Sequence, residues 1–249
     1  VLRITDARTG EPTDATPARR GLTRVVAHVP RPDTTGLRVL LVADVLVRAL
    51  EISGTPVWTV LTGTEGRAEL RAAATALGIR PFEDERDSGS GLGEAQVLHV
   101  LGPDAEAADG LRVEVAPVED ASGPAGFESD QGDPADPTAL RLALLARPRR
   151  EPLRLGAAEL ADAEENLRRW RGAVATWATR PSGPIPDPVR QQLRAAWEDD
   201  LDVPAVLGVL RKVETSGTVP DGARFETYAY ADRLLGLELT RDIGRGTPS

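Results

Sequence analysis

One stretch restricts the fold more than any other: "TRVVAHVPRPDTTGLRVLLVADVLVRALEISGTPVWTVL". A short β-branched run, "TRVVAHV", is followed by apolar residues at helical spacing from Leu37 to Ser53, a stop at Gly54, and a second β-branched run, "PVWTVL". A change of period from two to 3.6 and back predicts strand, helix, strand, a βαβ unit with its strands parallel in one sheet. The helix opens after Asp33, Thr34, Thr35 and Gly36. These residue types cap the unpaired N–H groups of a helix start, a contribution of about 1 kcal/mol. Helix N–H groups and two hydroxyls also suit an anion or a nucleoside phosphate, although the Asp33 carboxylate opposes one. Both readings stay open at this point.

Further along, Gly66 to Leu77 predicts an Ala-rich helix ended by Gly78, and "AQVLHVL" and "LRVEVAPV" predict two more strands. An α/β domain with a reduced parallel sheet is expected over residues 1–135. Two stretches rich in breakers read as loops: "EDERDSGSGLGE", and Glu119 to Pro137, which holds six acidic residues and no basic one. Beyond them the pattern is wholly helical, over Pro137–Ala146, Gly156–Thr179, Asp187–Leu201, Asp202–Thr215 and Asp221–Leu239. An all-α bundle over residues 136–249 follows, of a size that can hold its own core. Trp170, Trp177, Trp197, Tyr228 and Tyr230 fall at helical positions and are read as packing residues. Glu198, Asp199, Asp200 and Asp202 suit a divalent ion, but the end of one helix and the start of the next explain them by capping. His99 is read as a core histidine.

Composition closes off several classes of function. A net charge of −9, with Lys212 the single lysine among 30 basic residues, disfavours broad binding to a phosphate backbone. The absence of cysteine excludes disulfides, thiolate metal sites and a thiol nucleophile. No apolar run approaches the roughly 20 residues of a membrane span and no signal-like N-terminus is visible, so no membrane contact and a cytoplasmic location are expected.

The bundle sequence resembles the helical region of cysteinyl-tRNA synthetases, which are class I aminoacyl-tRNA synthetases. "DPTALRLALLARPRREPLRL" is similar to that family's Asp-Pro-x-x-Leu-Arg-x-x-Leu-Leu and the Arg-Ser-Pro-Leu after it, with Asp136, Pro137, Leu140, Arg141, Leu144, Leu145, Arg150, Pro152 and Leu153 in register. "AWEDDLDVPAVLGVL" and "ADRLLGL" resemble later helices of the same region, "LRITDARTGEP" its opening strand and turn, and "ADVLVRALEISGTPVWTV" the helix and strand after its first signature. The resemblance implies a reduced Rossmann-like, class I synthetase-like sheet domain before the bundle. It also implies adenylate chemistry, in which cationic groups on two signatures stabilise departing pyrophosphate.

Those groups are missing. Alignment back from the first helix puts Asp33, Thr34, Thr35 and Gly36 on the first signature, so a carboxylate and a glycine replace two histidines. Alignment back from Asp136 puts Pro117, Val118, Glu119, Asp120 and Ala121 on the second, where acidic and apolar residues replace lysines and repel a triphosphate. The family's zinc site needs cysteine ligands, and although His28 falls near the first of them, one imidazole makes no site. No metal, no zinc and no catalytic residue is therefore expected, and ATP or an adenylate only as an occupant of a remnant pocket at Asp33, Thr34, Thr35 and Gly36.

The expected function is a synthetase-like protein without aminoacylation activity, serving as a binding, regulatory or assembly module for a protein partner or a small-molecule ligand, a homodimer being one option. The alternative is a repurposed ligase or transferase that uses the remnant pocket, with Asp33, Thr34, Thr35 or His99 in it. Arg147, Arg149, Arg150 and Arg154 resemble a tRNA-facing segment and are the candidate tRNA or partner contacts, although net acidity disfavours tRNA.

Overall fold

A computed structural model describes residues 1–16, 21–63, 66–84, 94–103, 105–107, 109–120 and 136–245. Strands β1 (Arg3–Thr5) and β2 (Pro12–Asp14) form an antiparallel hairpin at the N-terminus. There follow β3 (Leu22–His28), α1 (Thr34–Ile52), β4 (Val57–Thr62), α2 (Arg67–Ala76), β5 (Glu83–Asp84), β6 (Glu94–Leu101) and β7 (Leu111–Glu114). The five strands β5-β4-β3-β6-β7 make one parallel sheet in that order. Next come β8 (Val118–Asp120), α3 (Pro137–Leu145), β9 (Leu153–Leu155), α4 (Ala157–Trp177), α5 (Asp187–Glu198), α6 (Val203–Thr215) and α7 (Asp221–Leu235). The architecture is thus a Rossmann-like parallel α/β sheet followed by helices.

The expected elements are present, with four differences of physical origin. Helix α1 starts at Thr34 rather than Leu37, because the Asp33 carboxylate accepts from Gly36 N at 2.8 Å and caps the helix four residues before the apolar spacing begins. Glu83 and Asp84, read as loop, pair with Val60 and Leu61 as an edge strand. "LRVEVAPV" is not one strand: β8 leaves the large sheet and pairs in parallel with β9. Helix α5 stops at Glu198 because Asp200 and Leu201 take left-handed φ values of 56° and 57°, and α7 stops at Leu235 because Gly236 does so at 62°. The rest of the two expected loops, 85–93 and 121–135, lies outside the described residues.

A seam of buried arginines holds the sheet against the bundle. Asp44 of α1 and Arg141 of α3 have side chains with no exposed surface and meet at 2.7 Å. Arg141 also donates to the carbonyls of Leu235 at 2.6 Å and Leu77 at 3.1 Å. Arg48 and Arg80 reach the same Asp44 carboxylate at 2.8 and 3.1 Å. Burial by itself would raise the Asp44 pKa, but Arg141 and Arg48 more than offset it and hold the carboxyl below its usual range. Arg38, fully buried in α1, donates to the carbonyls of Ala116, Pro148 and Glu151 at 2.9–3.0 Å. The aromatic residues pack as expected: Trp170 and Trp177 meet Tyr228 edge-on at 5.9 and 5.1 Å, and Trp197 lies 5.3 Å from Tyr230.

Candidate functional site

The strand order selects where a ligand would sit. The chain leaves β3 toward β4 on one side and later returns to β6 on the other, so β3 and β6 flank the point at which the order reverses. In open parallel sheets the crevice beyond the strand ends at that point is where ligands bind. Here it lies between His28, at the end of β3, and Gly102–Pro103 after β6, with the start of α1 facing it.

The four residues singled out on the first signature all lie here, each with a structural task. Asp33 is the N-cap, with its second oxygen 3.6 Å from Arg31. Thr34 is buried in the first turn. The Thr35 hydroxyl accepts a hydrogen bond from Val118 N at 3.0 Å, which stitches β8 to the helix start. Gly36 sits so close beneath the preceding loop that a Cβ there would lie 2.4 Å from the Arg31 carbonyl oxygen. The cavity that Asp33, Thr35 and Gly36 line holds about 20 Å³, room for roughly one water molecule.

Beside it runs a chain of side chains that the sequence does not announce. The Thr62 hydroxyl lies 2.9 Å from His28 Nδ1, and His28 Nε2 lies 2.8 Å from His99 Nδ1. A main-chain hydrogen bond to Asp109 favours the charged form of His99, as donation from its remaining nitrogen to a carbonyl would. That assigns the tautomers from the network: Thr62 O–H donates to His28, His28 Nε2–H to His99, and His99 Nε2–H to the main chain. Burial first, then the neighbouring His99, lowers the His28 pKa from 6.5 to about 4, and burial lowers that of His99. Both rings are neutral at pH 7, so the chain is a hydrogen-bonded base at the strand ends. His99, read as a core histidine, is half-buried rather than fully buried, and it is hydrogen-bonded to His28.

The histidine pair has a pH signature. A folded-state pKa below the unfolded one stabilises the fold fully above pH 6.5, and that contribution is lost as pH falls toward about 4. The gap in thermal midpoint between the native chain and His28→Gln is expected to shrink across that window. A gap that stays constant would show that the rings are not a neutral bonded pair.

The basic run divides. Arg149 is buried and donates to the Glu114 carbonyl at 2.6 Å and to the Asp200 carboxylate, so its expected role as a surface contact is corrected to a structural one. Arg147, Arg150 and Arg154 are exposed, and Arg154 pairs with Glu119 at 3.0 Å. Of the acidic group, Asp202 caps α6 through Ala205 N at 2.9 Å, Glu198 binds the N-terminal amine at 3.0 Å, and Asp200 accepts from Thr5 N at 2.7 Å. Among the described residues no three His, Asp or Glu side chains gather as metal ligands. No helix among them is long and apolar enough to cross a membrane.

No family model matches the chain. Comparison with curated proteins finds enzymes named L-cysteine:1D-myo-inositol 2-amino-2-deoxy-alpha-D-glucopyranoside ligase: from Streptosporangium roseum, 44% identical over 110 residues, and from Kribbella flavida, 42% identical over 106 residues. The chain is similar to cysteine ligases. The likeness covers 42% of this chain but only 26% and 25% of those two ligases, so the chain matches about a quarter of their length. The protein from Streptomyces griseus subsp. griseus, of the same name, is 39% identical over 108 residues, again 42% of this chain and 25% of its own. These relatives take L-cysteine, as the resemblance in the sequence implies, yet by name they join it to an amino sugar rather than to tRNA.

Sequence reasoning missed the histidine chain because its members lie 34 and 71 residues apart, although both histidines of the chain take part in it. Two histidines at the ends of neighbouring predicted strands were the available signal.

Proposed function

We propose that this chain is a ligase of the class I synthetase kind that forms an amide between an amino acid and an amine other than tRNA-linked chemistry, with cysteine and an amino sugar as the substrate class. The observation that carries the reading is the similarity to ligases that join L-cysteine to an amino sugar conjugate. It favours an enzyme over the module without activity that the missing signatures suggest. The residues supply one requirement of such a reaction. An attacking ammonium must lose a proton before it can reach an activated carboxyl, and a neutral imidazole at the sheet's ligand end can take it. His28 is the proposed base, acting through Thr62: the hydroxyl takes the substrate proton as it passes its own to His28 Nδ1, and His99 holds the ring. Activation of the carboxyl needs a nucleoside triphosphate, for which the crevice must widen well beyond its 20 Å³.

That closed crevice, with Asp33 capping and Thr35 bound to Val118, favours a second reading: a ligase-derived module that binds without turnover. Pyrophosphate exchange with ATP and each amino acid, followed by mass detection of product with glucosamine as acceptor, separates the two. Turnover that needs ATP and cysteine, and falls by about 10²–10⁴ in His28→Gln, is expected. No exchange, together with no calorimetric binding of a cysteinyl sulfamoyl-adenylate mimic, would leave the binding module.

A further inference from the structure

A second concavity lies in the helical part, away from the switch point. The groove holds about 520 Å³ and opens between α3, α4, α6 and β9. Small residues create it: Ala143 and Ala146 at the end of α3 face Ala163 of α4, and none fills the space between the helices. Its apolar floor is Leu142, Leu153 and Leu207, with Trp170, whose indole N–H is already taken by Glu214 Oε2 at 3.0 Å.

Six charged side chains line it, and three of them are accounted for. Arg154 pairs with Glu119 at 3.0 Å, and Glu159 accepts from Gly156 N at 3.0 Å, closing the start of α4. Arg147, Arg211 and Asp162 have no hydrogen-bond or ion-pair partner for their side chains among the described residues. Elsewhere on the bundle Arg169, Arg194 and Arg224 each have a carboxylate within 3.1 Å. Three arginines and three carboxylates balance overall in the groove, but Arg147 and Arg211 are the two guanidiniums in it that no carboxylate among the described residues engages. Its volume falls within the range of small-molecule sites, and a guanidinium fork matches phosphate oxygens bidentately.

We propose that this groove is a binding site for a small phosphate monoester, its phosphate held by Arg147 and Arg211 and its hydroxyl-bearing body over the apolar floor within reach of Asp162. The site is independent of the ligase reading, since it shares no residue with the switch-point crevice.

Isothermal calorimetry on the full chain tests it, with inorganic phosphate, glycerol 3-phosphate, AMP and citrate as probes. Saturable binding of glycerol 3-phosphate or AMP is expected, at least tenfold weaker in the Arg147→Gln/Arg211→Gln double variant and unchanged in His28→Gln. Both arginines are exposed, so the double variant should keep its thermal midpoint and circular dichroism. Asp162→Asn should weaken glycerol 3-phosphate more than inorganic phosphate. The proposal is overturned if no phosphate ester saturates by about 10 mM, far above a useful affinity, if the double variant binds equally well, or if citrate alone binds. Failure of pyrophosphate exchange would bear on the ligase reading and leave this result untouched.

Discussion

Replacing Asp44 with alanine is expected to lower the free energy of unfolding by about 3–5 kcal/mol, the usual cost of removing one partner from a buried ion pair. The size follows from what stays behind. Arg141 has no exposed side-chain surface, and without the carboxylate 2.7 Å away its charge keeps as hydrogen-bond partners the carbonyls of Leu235 and Leu77, with the Asp232 carboxylate acting on it without a hydrogen bond. Arg48 and Arg80 lose the same anion. Urea denaturation gives the loss directly, and the Asp44→Leu/Arg141→Met double variant should recover much of it, since apolar replacement of a buried pair is often neutral. A loss below about 1 kcal/mol would place the pair in solvent, contrary to its burial. The same carboxyl sits below its usual pKa of 3.8, so its contribution is complete above that value and is lost as pH falls through the lower folded value.

Gly36→Ala is expected to destabilise the chain by about 1–3 kcal/mol, the range for forcing extra volume into a packed site. In an exposed helix the same change would stabilise by roughly 1 kcal/mol, so the sign decides the matter. The added Cβ would meet the Arg31 carbonyl oxygen at 2.4 Å and a Val29 methyl at 2.6 Å. Relief requires the loop to lift from the first turn of α1, which also pulls on the Asp33 cap. Thermal and urea unfolding read the outcome. A stabilised variant would mean that the loop does not close over the helix start.

The βαβ unit was legible because periodicity is local: Val25, Val26 and Ala27 alternate with polar neighbours poorly but run short, whereas Leu40, Val47 and Leu50 repeat at helical spacing. The cap at Asp33 was legible for the same reason. The pairing of β8 with β9 was not, since two three-residue strands separated by α3 carry no signal of their partner. Arg149 and Arg150 are identical letters side by side, yet one is buried against Glu114 and Asp200 and the other is exposed. Only the path of the chain separates them. The groove was invisible because its walls come from α3, α4, α6 and β9. Resemblance served the scaffold better than the chemistry. The matched residues Asp136 and Arg141 turn out to bind Arg171 at 2.7 Å and Asp44 at 2.7 Å, holding helices in place.

The Arg38 guanidinium, which reaches the main chain at Ala116, Pro148 and Glu151, ends on atoms that every amino acid possesses. The side chains of those three residues can therefore be exchanged while the course of the chain past Arg38 is kept. Drift in spelling there need not bring drift in shape.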